Sequence, residues 1–492
     1  MKSVLISTFL LFVGFFAFGQ SALPAKMDYH FSWDGRSSLL MVDVYYNPGK
    51  TDTTSFIYGW PEAGNEVDIF RVVKNIQAGK SDSISIDSNS RKILVWHKTG
   101  GLKKLHYEIN GALISAAKHN NANEQFRPQL VPGSFYSLSF NLFMKVDTAI
   151  FKDFYYKWDR WPPGIGYFSS ADPQSNPGAK VRVTPGQLMK IYMAMDNQLA
   201  VNRYDINNVP YYAITTRRDT LNDMQADLKP FFSTFFPAIT AFWNDYSDKD
   251  YFVSVLPFLH DVPDNYTGYG LLDGFSMRYR GKYDIEKMEV IAHETSHKWI
   301  GNKVEIKQKG FEYMWFEEGF NDYVAICLLA NTGMLSGSGF IAYINDKNLA
   351  PHYKSPVATA PADSIEKYFW VNHDYEKLPY QRGFIYAFYF DNQIRLASGG
   401  KKTIRDFLLA LLAKKVAIKE RDLTIDDYIE TAALFLPKEQ IADEVNKYLQ
   451  QGALLDFHSI KLIQGFEMNY KDTIPVLSLS PGADLSGMMG WK

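Results

Sequence analysis

Between residues 21 and 190 apolar side chains recur at every second position. Tyr29, Phe31 and Trp33 alternate ahead of the turn signal Asp34-Gly35, and Leu40, Val42, Val44 and Tyr46 alternate next. Ile84/Ile86, Ile93/Val95, Leu105/Tyr107/Ile109 and Tyr136/Leu138/Phe140/Leu142 continue the pattern, with Gly, Pro, Asn and Ser between them. A period of two puts alternate side chains on one sheet face, so this stretch predicts half-buried strands. Trp158, Trp161 and Pro162-Pro163-Gly164 predict a stiff aromatic loop used for packing or a domain junction. From Val181 to Val255 strands mix with one helical segment after Pro230, Phe231 to Trp243, and Tyr251 to Leu259 predicts an apolar strand. Beyond Ala330 the period turns helical. Phe384 to Leu396, Ile404 to Leu412, Ile425 to Leu434 and Ile441 to Leu449 carry apolar faces, with Thr403 and Thr424 as caps.

Met1-Lys2 precedes an apolar run of 15 residues, Val4 to Phe18, closed by the small residues of Ala17-Phe18-Gly19. A membrane anchor needs about 20 apolar residues, so residues 1–19 are expected to be a signal peptide. The mature protein is then exported, to a periplasm or the extracellular space. No second run could span a membrane. The chain is 46% hydrophobic, enough for two or three cores, and its net charge of -2 gives no global attraction for nucleic acid. The one cysteine, Cys327, excludes an internal disulfide and is expected to be a buried thiol.

Chemistry concentrates in Met288 to Val324. The run His293-Glu294-Thr-Ser-His297 sits in an amphipathic segment, and residues four apart on a helix share a face. His293 and His297 can therefore bind one zinc ion, with Glu294 beside them as a base for water. A third ligand is wanted from the next helix, where Glu318 stands in Trp315-Phe-Glu-Glu318-Gly-Phe-Asn-Asp322. The adjacent Glu317 is the alternative. Asp322 is a candidate acceptor for the free ring nitrogen of a ligating histidine, fixing its tautomer. The other eight histidines lack ligand spacing.

His-Glu-x-x-His-Lys-Trp-Ile-Gly-Asn followed by Trp-Phe-Glu-Glu-Gly-Phe resembles the gluzincin aminopeptidases, the clan of families M1 and M61. Pro379-Tyr380-Gln-Arg-Gly383, Phe390-Asp391-Asn-Gln-Ile-Arg395 and Ser398-Gly-Gly-Lys-Lys-Thr resemble an M61 pattern, and Tyr269-Gly270-Leu271-Leu-Asp273-Gly is similar to its Tyr-Gly-Gly-Leu-Glu-His. The resemblance implies an α+β multidomain fold. A β-rich N-terminal domain (20–190) is followed by a thermolysin-like zinc catalytic domain (191–335) and a helical C-terminal lobe (336–468). Residues 469–492 are unassigned: Leu-Ser-Leu-Ser-Pro-Gly-Ala there resembles the start of a PDZ domain, and no complete one follows.

The resemblance also implies roles. One Zn2+ per chain is held by His293, His297 and Glu318, the last because it precedes Gly-Phe as the family ligand does. Glu294 is the general base, and Tyr380 donates to the oxyanion. Gly270 and Leu271 lie on the strand that pairs with substrate, and Asp273 holds the α-ammonium of a peptide. Asp273 is one methylene shorter than the family's Glu, so a turn role for Asp273-Gly274 competes with amine binding. Arg382 stands where the pattern has Lys and receives no role. The expected activity is removal of small N-terminal residues from peptides. The rivals are an endopeptidase with the same site and a non-catalytic zinc-binding scaffold.

Overall fold

The computed structural model describes residues 25–485, except 60–68, 99–100, 113–126, 246–248, 260–265, 308–312, 175, 189, 272, 370, 420 and 484. The expected leader over 1–19 and the last residues of the tail thus lie outside the described residues. The architecture is α+β and multidomain: β-rich in its N-terminal half, helical in its C-terminal part.

The N-terminal alternation becomes sheet. Six strands run in the order Val181–Val183, Asp153–Arg160, Lys26–Ser32, Leu39–Tyr46, Lys103–Asn110 and Val73–Ala78. Their alternate residues (Tyr29, Phe31, Val42, Val44, Leu105, Tyr107) are fully buried. Trp158 sits in one of these strands rather than in a loop, paired with Phe31 and packed edge-on against Phe135 and Trp161.

A second sheet, Gly166–Ser169, Tyr192–Asp196, Ser134–Leu138 and Gln129–Val131, is covered on both sides. Phe135, Met193 and Met195 face the first sheet. Tyr136, Leu138, Tyr192 and Ala194 face the next layer, against Tyr212, Ile214, Phe252 and Leu271. This sheet takes in residues past 190. The strand expected to reach Leu142 stops at Leu138, because Ser139 accepts Ile191 N–H on its hydroxyl and Leu142 N–H on its carbonyl, turning the chain.

The third sheet carries the site. Its order is Leu199–Ile206, Val209–Thr216, Tyr251–Pro257, Gly274–Tyr279 and, at the edge, Tyr266–Leu271. Under it pack the helix Ile285–Ser296 and a helical segment that starts at Met224, earlier than expected, because Asp223 caps it by accepting from Ala226 N–H. Pro230 lies inside that segment, and the turn after it, Phe231–Phe235, is wound wide. A proline removes one helical donor, and a wider turn is a common accommodation.

Two long segments close the domain. Trp315–Phe320 runs on into Asn321–Asn331, and it crosses the helix His373–Ser398. They meet backbone to backbone: a Cβ on Gly319 would lie 2.4 Å from Gly383 Cα, and one on Gly383 would lie 2.1 Å from Trp315 O. The second helix begins at His373 rather than Phe384, capped by Asn372, and includes Pro379. Asp391 accepts from Tyr323 Oη (2.8 Å), Arg395 Nε (3.0 Å) and Ile404 N–H (2.7 Å), so the Asp-x-x-x-Arg pair is a structural node. Thr403 and Thr424 cap the helices Ile404–Ile418 and Ile425–Ala432, each reciprocated by an aspartate three residues on. The tail expected to lack assignment forms a hairpin, Phe466–Lys471 with Ile474–Leu479, and the Asn345 amide both donates to and accepts from the Leu477 backbone. Cys327 is buried. Among the described residues no helix is long and apolar enough to cross a membrane.

The glycine crossing leaves no room for a methyl group. Gly383→Ala is expected to destabilise the fold by about 1–3 kcal/mol or more. Gly186→Ala, where nothing lies within 4 Å of the added carbon, should stay within about 0.5 kcal/mol. Urea unfolding of both variants checks this.

Candidate active site

The helix Ile285–Ser296 is started by Asp284, whose carboxylate accepts from Lys287 N–H, and it ends as the chain reaches His297. Met288, Ile291 and Ala292 bury one face in the core, which turns His293, Glu294 and His297 towards the edge strand and the crossing helices. The motif after His297 then has a local purpose. The Ile300 carbonyl accepts from His297 Nδ1 at 3.0 Å, and the Asn302 amide donates to the His297 carbonyl. Between them Gly301 has φ +90°, and a Cβ there would lie 3.2 Å from His297 Nδ1; only glycine turns the chain there without strain. Trp299 stacks on Trp243 and donates to Asp245, anchoring the turn.

His293 is held from the other side by two consecutive residues. Asp322 Oδ1 lies 2.7 Å from His293 Nδ1, and the buried Asn321 amide donates to the His293 carbonyl at 2.9 Å. A carboxylate and a carbonyl can only accept, so both Nδ1 atoms carry protons and both Nε2 atoms present lone pairs. Those Nε2 atoms are 2.9 Å apart, and Glu318 Oε2 lies 3.3 Å from His293 Nε2 and 3.6 Å from His297 Nε2. Tetrahedral zinc with bonds of about 2.0–2.1 Å spaces its ligands roughly 3.3 Å apart. Glu318 Oε2 is buried with no hydrogen-bond partner. Three electron-pair donors converging without a proton between them fit a cation, and the imidazole–imidazole–carboxylate set fits zinc.

The structure thus groups Glu318 with the two imidazoles, and Glu317 stays outside the cluster. Burial pushes the Glu317 carboxyl up to about 7.

Glu294 lies over the edge strand. A Cβ on Gly268 would come 2.7 Å from Glu294 Oε1, and one on Gly270 would come 3.5 Å from Oε2. Two glycines at strand spacing therefore make the space the carboxylate occupies, and burial raises its pKa. The Tyr380 ring lies 6.0 Å from that of His293. Burial, then the charges of Glu318, Asp322 and Glu294, push its phenol well up, so it stays protonated and able to donate. Leu271 is buried under the end of the edge strand and Gly270 is exposed on it. Asp273 sits in the turn that follows, its carbonyl accepting from Phe252 N–H and its carboxylate 4.0 Å from Lys249 Nζ. Gly274 is a close-packing position, with Phe252 O 2.4 Å from where a Cβ would be.

Sequence reasoning did not anticipate Gly268, Asn321 or Lys298. The period-two Gly268-Tyr-Gly270 was the available signal for the first. Lys298 reaches the rings of Tyr211 and Tyr251 at 4.9 Å each and donates to Tyr211 Oη at 3.0 Å. Burial lowers its ammonium to about 8.

Residues 277–430 match the Peptidase family M1 domain. The chain is 28% identical over 206 residues to leucine aminopeptidase 2 of Aspergillus oryzae, covering 37% of this chain and 29% of that protein. It is 27% identical over 205 residues to the same enzyme of Neosartorya fischeri, covering 38% and 30%. The chain thus spans less than a third of the length of these relatives. Among solved structures, an aminopeptidase N family protein from Idiomarina loihiensis superimposes with a TM-score of 0.71 at 13% identity, covering 87% of this chain and 77% of that one. An M1 zinc metallopeptidase from Deinococcus radiodurans superimposes with 0.51 at 14% identity, covering 89% and 96%. The fold is therefore that of the M1 aminopeptidases.

With Asp322 fixing the His293 tautomer, Asp322→Asn is expected to raise the zinc Kd roughly 10- to 100-fold. Competition with a chromogenic chelator measures it; undiminished affinity and activity would remove that role.

Proposed function

We propose that this chain is a zinc-dependent metallopeptidase of the gluzincin clan, an aminopeptidase acting on peptides with small N-terminal residues. One observation carries the reading: the His293/His297/Glu318 cluster stands beside a Glu294 carboxylate cradled by the edge strand. The M1 domain match supports the class. The finer likeness to M61 rests on the motifs at 269–274 and 379–403. The apolar run Val4 to Phe18 supports export to a periplasm or beyond.

His293, His297 and Glu318 would hold one zinc ion. Zinc so bound supplies Lewis-acid activation of water and of the scissile carbonyl. Glu294 takes the proton of the attacking water and passes it to the leaving amine, and its raised pKa suits that exchange. Tyr380 donates a hydrogen bond to the carbonyl oxygen as charge develops there. The edge of Tyr266–Leu271 that is unpaired among the described residues, at Gly270 and Leu271, pairs with the substrate backbone, the other edge being taken by Gly274–Tyr279. Asp273 beyond it receives the α-ammonium. The Deinococcus radiodurans structural relative has been solved, as a variant, with a Tyr-Ser-Ala substrate (TM-score 0.50, 13% identity), which supports a peptide as the ligand class.

A second reading, an endopeptidase with the same centre, is favoured by the Lys249 ammonium 4.0 Å from Asp273, a cation already where the peptide amine would bind.

Hydrolysis of aminoacyl chromogenic substrates and of N-blocked peptides separates the readings. Cleavage of free-amine substrates alone is expected, falling roughly 10²–10⁴-fold in Glu294→Gln with zinc content unchanged. Cleavage of blocked peptides would favour the endopeptidase, and bound zinc without turnover a scaffold.

A further inference from the structure

Tyr380 sits on a weak turn. Pro379 beside it has no N–H, so the helix His373–Ser398 lacks one of its own hydrogen bonds at this point. Contacts from outside the helix therefore add to what holds the phenol in place. Gly383 supplies one contact, against Trp315 O and Gly319. Arg382 supplies another.

Arg382 is buried, 4% exposed, and among the described residues its guanidinium is met by backbone carbonyls alone. Nη2 donates to Ala358 O at 3.0 Å and to Ala360 O at 2.6 Å, while Nη1 points to Leu449 O at 3.4 Å. Leu449 lies in the last turn of the segment Val445–Gln450, where carbonyls lack helical partners. Gly452, with φ +75°, lets the following chain pass: a Cβ there would lie 2.6 Å from Ala360 O and 2.8 Å from Arg382 Nη2. Among the described residues no carboxylate is in ion-pair contact with Arg382, so charge pairing does not explain it. Carbonyls from separate segments suit a planar fork with several fixed donors, whereas the Lys of the family pattern would offer a single compact ammonium. The segment that Arg382 grips continues into Ala362–Tyr368, and Ile365 and Phe369 pack there on Leu378, two residues before Tyr380.

We propose that Arg382 is a positioning residue for Tyr380. By tying the Pro379–Gly383 turn to the carbonyls of 358, 360 and 449, it holds the phenol over the Glu318–His293 centre. This rests on the reading of Tyr380 as the oxyanion donor.

The test is a double-mutant cycle on a free-amine substrate with wild type, Arg382→Lys, Tyr380→Phe and the double variant, alongside hydrogen–deuterium exchange on the full chain. Tyr380→Phe should lose roughly 10²–10³-fold in kcat. Arg382→Lys should lose roughly 10- to 100-fold in kcat, with KM little changed. In the Tyr380→Phe background the Arg382→Lys loss should largely vanish, because a displaced phenol and a missing hydroxyl remove the same interaction. Exchange should quicken at 358–360 and 379–383. Gly452→Ala approaches the same joint with Arg382 intact and should show the same dependence on Tyr380. Losses that multiply in full, or a loss in KM alone, overturn the proposal while leaving the peptidase reading intact. If wild type hydrolyses nothing, the peptidase reading fails by itself, and the oxyanion role given to Tyr380 falls with it. Unchanged exchange at 379–383 in Arg382→Lys overturns the positioning role in either case.

Discussion

Everything at the centre depends on two backbones touching. Gly319 and Gly383 bring the segment carrying Glu318 and Asp322 against the helix carrying Tyr380 at a distance that no side chain permits. Glu318 is one residue from the first glycine and Tyr380 three from the second, so the crossing fixes the separation between the carboxylate and the phenol. A helix pair spaced by ordinary side chains lies about 8–10 Å apart. At that spacing the phenol would stand off from the imidazoles it now lies beside.

The second constraint is that each imidazole is held at its far nitrogen. Asp322 and Asn321 grip His293 by ring and by backbone, and Ile300 and Asn302 do the same for His297. These partners are local in sequence to the motifs that carry the ligands. That is why Trp-Ile-Gly-Asn and Gly-Phe-Asn-Asp are informative stretches: each encodes a turn or first helical residues whose polar atoms point back at a histidine. The far nitrogen of each imidazole is satisfied, which leaves its Nε2 free to face the carboxylate.

Much of this was legible in the sequence, and the exceptions have physical reasons. His293, Glu294 and His297 could be read from helical spacing, whereas Glu318 was preferred to Glu317 through the resemblance, and Asp322 followed from standing four residues beyond it. The N-terminal strands could be read because Tyr29, Phe31, Val42 and Val44 alternate on a sheet covered on one side. The middle sheet was harder: Tyr192–Asp196 and Ser134–Leu138 are buried on both faces, so alternation no longer distinguishes inside from outside. The helix start at Met224 was missed because Pro230 looked like a boundary, and that at His373 because the apolar face was followed only from Phe384; both helical segments contain their prolines. The role of Gly268 depends on a side chain 26 positions later, and that of Arg382 on carbonyls from 358 to 449. No local pattern reports such contacts.

The doubly covered middle sheet has a consequence for how this chain can be divided. Its strands belong by sequence to the N-terminal half, yet Tyr136, Leu138, Tyr192 and Ala194 are the floor on which Tyr212, Phe252 and Leu271 rest. Cutting the chain between the halves exposes a broad aromatic surface on each piece. The two halves therefore share a buried layer, and lifting out the catalytic sheet means bringing its neighbour's inner face along.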